Sequence, residues 1–509
     1  MSTSFYQEKT NKKKHDFIKR QNDWRMGGIV YHVFVDRFVP SNQLEKKKHW
    51  YAAPRTLQSW NQLPVPGKKD LTTSYYTHEL AFWGGDLASL MTKMDYLKSW
   101  GFTTLYLNPI FEAMTNHKYD TYDYESISKE YGTMEEFLQL INSVHGINMK
   151  IMLDGVFNHM AVGSPKFQDG FKRPASPYRA WFDFNSQYKL GYRCWSGVAS
   201  LPELNLKNDD VRNYLFNGKN SIVQRYLKLG IDGWRLDTAM ELGYAYLHQL
   251  TQAAHHAKEQ SVVIGELLQN PEGWHPAMDG VMQLALRDLI FEFVEGRMSG
   301  HMMSMHLQKW VEKTGIETML RSWILLENHD LWRIKSRLKD RSLYELAKTL
   351  QFTLPGTVNL YQGEECGMEG EGDPYNRAPM RWDLANDANP VFKLHRDWVK
   401  LRQEERALRI GDLEVLDTHR LLAYLRTTDQ VKETILTIIN PTQEDIEETL
   451  VIPNGTLKSH LKWKNLFDDT IKIQSNHAFL TIKVKKQSSF VLKPILEMID
   501  GYSPYKNID

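Results

Sequence analysis

The chain has 509 residues, 42% of them hydrophobic, with 63 Lys and Arg against 62 Asp and Glu for a formal charge of +1. At about 150 residues per domain this length predicts two to four domains, and the even charge excludes the footprint of a nucleic-acid or acidic-membrane binder. A mean hydropathy of −0.50 without an apolar run near the ~20 residues that span a bilayer excludes a helical membrane protein, and two cysteines, Cys194 and Cys366, exclude a disulfide framework.

Residues 1–26 read as a polar amino-terminal arm. Lysines follow one another at 12–14, and again at 46–48, as solvated surface, and no apolar stretch follows the first group as in a secretory signal, so the expectation is a cytoplasmic protein. From residue 27 a unit recurs: a short β-branched or aromatic run ending in a polar residue, then a stretch of helical periodicity. The runs are 29–36, 103–108, 150–157, 231–237, 262–266, 280–283, 323–328 and 358–361. Eight strand–helix units predict an α/β fold, a (β/α)₈ TIM barrel of parallel strands over 27–410. Apolar residues three or four apart at 87–100 and 134–144 predict covering helices, and Gly101, Gly146 and Gly230 stand where a left-handed stop would end them. The link from 266 to 279 is short for a crossover helix. Residues 160–207, rich in Gly and Pro, break the rhythm and read as an inserted subdomain after the third strand. Beyond 411, alternating runs at 421–426, 434–439, 449–452 and 489–492 predict a carboxyl-terminal β-sandwich and tail.

In such a barrel the reactive groups stand at the carboxyl ends of the strands. The predicted ends supply Asp36 and Arg37, Asn108, Asp154 with Asn158 and His159, Arg235 and Asp237, Glu266, and His329 with Asp330. Arg235 and Asp237 lie two apart on one strand and so share a side, which predicts that the guanidinium holds Asp237 ionised. Glu266 closes an apolar run, 262–265, where desolvation would raise its pKa. Two carboxyls in divergent environments suit retaining glycoside hydrolysis, one attacking the anomeric carbon and the other protonating the leaving oxygen. Asp330 is the third acid, placed to hydrogen-bond sugar hydroxyls, work that His159 and His329 also suit. A chain with 12% aromatic residues fits a flat ligand with an apolar face, as a sugar has.

The strings DGVFNH at 154–159, GWRLD at 233–237, GEL at 265–267 and ENHD at 327–330, with LPELN at 201–205, resemble the ordered signature regions of the α-amylase superfamily, glycoside hydrolase family 13. FWGGDL at 82–87, LYLNPIF at 105–111 and NHKYDTYDY at 116–124 resemble its cyclomaltodextrinase, neopullulanase and maltogenic amylase branch, with maltodextrin glucosidases close by. The resemblance implies Asp237 as nucleophile, Glu266 as acid/base and Asp330 as transition-state stabiliser, supported by Arg235, His159 and His329. It also implies His117 on the reacting sugar, Tyr119 against its ring, and Asp373 and Arg377, within DPYNRAPMRWD at 373–383, on hydroxyls at the non-reducing side. The chain departs from the branch in places. About 26 residues precede the first strand where members carry a β-rich domain, region two ends TAME at 238–241 with Met240 before Glu241, and Leu267 and Leu268 follow the acid/base where an aromatic is frequent. No metal is required for this chemistry. Family analogy offers Asn158 as a calcium ligand, but residues 39–42 lack the acidic ligands of calcium-binding members.

The expectation is therefore a retaining hydrolase of α-1,4 links in maltodextrins, extending to cyclodextrins or α-1,6 links, with transglycosylation. The expected partner is an α-glucan oligosaccharide, with no nucleic acid and no membrane; oligomeric state is open. Rival readings are a glucanotransferase or trehalose-forming isomerase of the same superfamily, and a non-catalytic carbohydrate-binding protein.

Overall fold

The computed structural model describes residues 2–70, 74–269, 271–496, 500 and 502–505, with side chains from residue 12 onward. Eight strands close in chain order into a parallel barrel. They are β1 (Ile29–Val33), β2 (Thr104–Leu107), β3 (Lys150–Gly155), β4 (Gly233–Leu236), β5 (Val262–Leu267), β6 (Gly280–Gln283), β7 (Trp323–Ile324) and β8 (Thr357–Tyr361). Val30 pairs with Thr104 on one side and Asn359 on the other, which closes the ring. Side chains alternate along each strand. Val30, Tyr106, Met152, Ile264, Met282 and Trp323 fill the interior, while Tyr31, Leu105, Ile151 and Trp234 join the cluster between strands and helices. Both faces are thereby buried, as a parallel sheet requires.

Five of the eight strands, β1 to β4 and β7, are shorter than their sequence runs. β1 stops at Val33 and the chain tightens into a 3₁₀ turn at Val35–Arg37; β7 has two residues. The missing residues are polar-ended segments that leave the ladder to form the loops of the mouth. The link after β5 contains turns and no helix among its described residues, and β6 pairs directly with β5, Gly280 beside Ile264. The helix Met134–Gly146 begins with a reciprocal cap between Thr133 and Glu136 and buries Phe137, Leu140, Ile141 and Val144. Gly101 (φ +68°) and Gly230 (φ +125°) stop their helices as expected, but Gly146 stays helical and Asn148 (φ +61°) makes the left-handed turn, a conformation Asn tolerates.

Between β3 and β4 the chain makes an excursion with a helix at Pro165–Lys172 and an aromatic centre of Phe167, Phe182 and Tyr192. Bridges between His159 and Glu203 and between Cys194 and Pro202 draw this excursion together beside the barrel mouth. The amino-terminal segment is a helix, Ser2–Asn22. It buries Phe17, and Arg20 reaches Glu317, Asp412 and the Ile410 carbonyl, each within 3.0 Å, so that it clasps the barrel and the segment after it.

The carboxyl-terminal strands are β9 (Asp412–Val415), β10 (Leu422–Thr427), β11 (Ile435–Asn440), β12 (Ile446–Val451), β13 (Lys462–Asn465), β14 (Lys472–Gln474), β15 (Phe479–Val484) and β16 (Ser488–Ile495). They form an antiparallel sheet in the order β9-β10-β11-β16-β13-β14 and a separate pair, β12-β15. Leu425, Trp463, Leu450 and Ile482 share one core between them. On its other face the large sheet sets Leu422, Tyr424 and Ile439 against barrel helices. Gly300 opens one of these helices; a Cβ there would sit 2.0 Å from the Leu421 carbonyl oxygen, so only glycine permits this approach. No helix among the described residues is long and apolar enough to cross a membrane.

Candidate active site

Alternation along the strands decides what enters the mouth. The inward positions that bear Val30, Met152 and Ile264 lower in the barrel bear His32, Asp154 and Glu266 one pleat higher; Arg235 of β4 is inward too, and Asp237 follows two residues on. These side chains converge on one guanidinium. Arg235 Nη1 donates to Asp154 at 2.8 and 3.0 Å and to Asp237 Oδ1 at 3.2 Å, and its Nη2 lies 2.9 Å from Glu266 Oε1. Asp154 also accepts from the hydroxyls of Tyr106 (2.6 Å) and Tyr119 (2.7 Å), which makes it a fully engaged anchor. The Thr238 amide donates to Glu266 Oε2 at 3.0 Å, linking the two acid-bearing strands. Thr238 holds φ +44°, ψ 44°, a left-handed conformation that costs a β-branched residue and is sustained only by its surroundings.

The electrostatics differ from the sequence expectation. Burial pushes the Asp237 carboxyl well above the ordinary carboxylate range, and Glu266, Asp154 and Asp330 push the same way, outweighing Arg235. The guanidinium two residues away lowers Asp237, but it does not offset burial together with three neighbouring carboxyls. Nor does Glu266 sit in an apolar pocket, because the inward face of β5 looks onto Arg235 of β4. Asp330 goes the other way. Burial would raise it, but His329, with Nε2 2.9 Å away, and Arg377, whose Nη2 donates at 2.9 Å, hold it below the usual range. Burial lowers His159 to about 4, so this ring is neutral at physiological pH.

A cavity of about 450 Å³ opens above this cluster. Asp237, Glu266, Asp330, His117, Tyr119, His159, Asp373 and Arg377 all line it. Arg235 and His329, each at most 1% exposed, are not part of this lining; Arg235 lies against the acids, and His329 against Asp330 and Tyr119. Tyr119 stacks on His329 with ring centres 5.3 Å apart. Arg377 is buried, joins Asp330 to Asp373 (Nη1 to Oδ1 3.2 Å), and donates to the His329 carbonyl. Glu79, Trp195, Met240, Glu241 and Leu268 line the cavity too, and sequence reasoning did not place Glu79 or Trp195 there. Trp195 stacks on His159 at 5.6 Å and donates to Glu241 Oε1 at 3.0 Å; it comes from the aperiodic excursion, where no pattern marks it. Glu79 stands just before the string at 82–87, and only that proximity hinted at it. Asp36 and Arg37, also at a strand end, are spent internally: Asp36 accepts the amides of Trp83 and Gly84 and pairs with Arg37 at 2.7 Å.

Asn158, the residue that analogy offers to calcium, shares a separate cavity of about 380 Å³ with Asp183, Arg193 and Glu203. Arg193 lies 2.6 Å from Glu203 and 3.6 Å from Asp183. A resident guanidinium already pairs with both carboxylates, so a divalent cation would have to enter beside a fixed positive charge, and this donor set does not suit it.

A closed parallel barrel with acids from the ends of β4, β5 and β7 around one sugar-sized hollow defines the class, a barrel enzyme built for carboxyl chemistry. The family described as the α-amylase catalytic domain matches residues 32–434, and the chain belongs to it; the protein is a glycoside hydrolase. It is 30% identical over 444 residues to a cyclomaltodextrinase of Geobacillus thermopakistaniensis, covering 84% of this chain and 70% of the relative. It is 28% identical over 458 residues to neopullulanase 2 of Thermoactinomyces vulgaris, covering 86% and 73%. Among solved structures, the ligand-free cyclic alpha-maltosyl-(1→6)-maltose hydrolase of Arthrobacter globiformis superposes with a TM-score of 0.76 at 25% identity, covering 93% of this chain and 99% of that one.

Proposed function

We propose that the chain is a configuration-retaining hydrolase of α-1,4-glucosidic bonds in maltodextrins, with activity extending to cyclodextrins or α-1,6 bonds. The names of its relatives, a cyclomaltodextrinase and a neopullulanase, support the α-glucan class. The observation that carries the mechanism is the convergence of Asp237, Glu266 and Asp330 on one cavity, with Arg235 held in common by the first two.

In this reading an Asp237 oxygen attacks the anomeric carbon while Glu266 gives its proton to the departing glycosidic oxygen. Water then attacks the same carbon, Glu266 takes a proton from it, and Asp237 leaves, so that two inversions retain the α configuration. Positive charge developing on the sugar favours Asp237 as the ionised member, and Glu266 carries the proton. Asp330, kept ionised by His329 and Arg377, hydrogen-bonds ring hydroxyls as the sugar flattens. His117 and His159 bind hydroxyls, and Asp373 with Arg377 holds the non-reducing side. Trp195, Met240 and Leu268 give the cavity an apolar flank where a departing or incoming sugar can rest. A sugar hydroxyl there competes with water for the covalent intermediate, which is transglycosylation. A time course of products from maltoheptaose, β-cyclodextrin and pullulan, with the first anomer recorded, tests the reading. An initially α-configured product is expected, and an initially β-configured one would overturn it.

A further inference from the structure

We propose that Glu79 recognises the free non-reducing end of the glucan and that the segment carrying it closes the cavity on that side, so that linear maltodextrins are cleaved from their ends and in preference to closed rings. This rests on the α-glucan reading above and deepens it.

The segment belongs to the long connection between β1 and β2 and is fastened on both sides of the mouth. From the loop after β2, Asn116 Nδ2 donates to the carbonyls of His78 and Ala81, both at 2.8 Å, and the Asn116 amide donates to the Glu79 carbonyl at 2.8 Å. On the far side, His78 Nε2 lies 3.7 Å from Asp373 Oδ2, in the loop after β8. The strap thus bridges the loops that carry His117 and Asp373. Glu79 lines the cavity beside His117, and its neighbour His78 lies against Asp373.

The hydrogen-bond inventory at Glu79 favours a donor ligand. His117 Nδ1 accepts from the Tyr119 amide at 3.1 Å, and an amide only donates, so the ring hydrogen of neutral His117 is on Nε2, 3.5 Å from Glu79 Oε1. Glu79 Oε2 accepts the Tyr76 amide at 2.6 Å. Burial would raise the Glu79 carboxyl, but His117, the Tyr76 amide and His78 hold it below its ordinary value, so it is an ionised, acceptor-only group. It keeps 22% of its side-chain surface open. A terminal glucose has a 4-hydroxyl to donate. In an internal glucose that oxygen is bridged to the next residue and has no hydrogen. An acceptor-only carboxylate that faces this 4-hydroxyl separates chain ends from chain interiors, which can offer it only their 2-, 3- and 6-hydroxyls.

The test compares initial rates of the full-length enzyme on a p-nitrophenyl maltoheptaoside with a free non-reducing end and on the same compound blocked there as a 4,6-ethylidene acetal. Wild type is expected to cleave the free substrate at least about tenfold faster, the worth of one charge-assisted hydrogen bond. Glu79→Gln keeps an acceptor for the Tyr76 turn and loses the charge. It is expected to raise KM for the free substrate about tenfold, with a smaller effect on kcat, and to narrow the free-to-blocked ratio. Equal wild-type rates on both substrates, or a Glu79→Gln variant with unaltered KM and ratio, would overturn the end wall and leave the glucan reading standing. Failure of wild type to cleave either substrate would remove the glucan reading and this inference with it.

Discussion

The barrel mouth and the carboxyl-terminal sheets bury their side chains by opposite rules. Between the two sheets the core is built on apolar side chains: β15 alternates exposed and buried residues along its length, and Trp463 fills the centre, its Nε1 the one polar atom of that cluster of described residues left buried without a hydrogen-bond partner. At the mouth the ionisable side chains of Arg235, Asp154 and Asp237 are buried, and His159 Nδ1, His329 Nδ1 and Thr238 Oγ1 are buried without a hydrogen-bond partner. Burial of apolar area stabilises, whereas buried charges and unmet polar atoms cost free energy unless each is paired. One region supplies stability; the other holds its charges in place at the expense of stability.

Substitutions can break that contrast, the strongest first. Asp237→Asn should lower glucan hydrolysis about 10⁴-fold while leaving the melting temperature unchanged or higher, since it removes a buried carboxyl crowded by other carboxyls; initial rates and calorimetry measure the two effects. A lower melting temperature would mean that the carboxylate is structural. Arg235→Met should cost about 3–5 kcal/mol in urea unfolding, because Asp154 is left charged and unpaired, and should abolish activity. Trp463→Ala should cost about 3–4 kcal/mol by opening a cavity, yet leave kcat and KM untouched at temperatures where the chain is folded. The contrast sharpens with pH. His159 is lowered to about 4 in the folded chain from about 6.5 when unfolded. Its contribution is therefore present above pH ~6.5 and lost as pH falls through about 4, to a limit of about 3 kcal/mol. His159→Gln should flatten the fall of the melting temperature across that interval, and an unaltered slope would show that other groups, such as the buried rings of His32 and His395, dominate it.

The same contrast governs what was legible in the sequence. Strand runs with carboxylates at their ends were readable because period-two alternation and strand-end chemistry are local, and so Asp237, Glu266 and Asp330 could be named from their neighbours alone. The balance of charge among them was not readable. Arg235 sits two residues from Asp237, but Asp154 and Glu266 come from other strands, and sharing among the three appears only when the barrel closes. Trp195 escaped for a related reason: its place depends on stacking on His159 and on a hydrogen bond to Glu241, contacts across 36 and 46 positions of chain. The ends of β1 and β7 were misjudged because strand propensity continues into residues that tertiary contacts pull out of the ladder.

The sheet β9-β10-β11-β16-β13-β14 is covered by the β12-β15 pair on one face and seats Leu422, Tyr424 and Ile439 on the other against Leu286, Ile290 and Met303 of the barrel. Catalytic barrel and terminal sheets therefore cannot be treated as interchangeable cassettes. Trimming the chain before Asp412 would strip an oily floor from two helices, and grafting a foreign appendage would have to reproduce its relief, down to the notch that Gly300 leaves for a backbone oxygen.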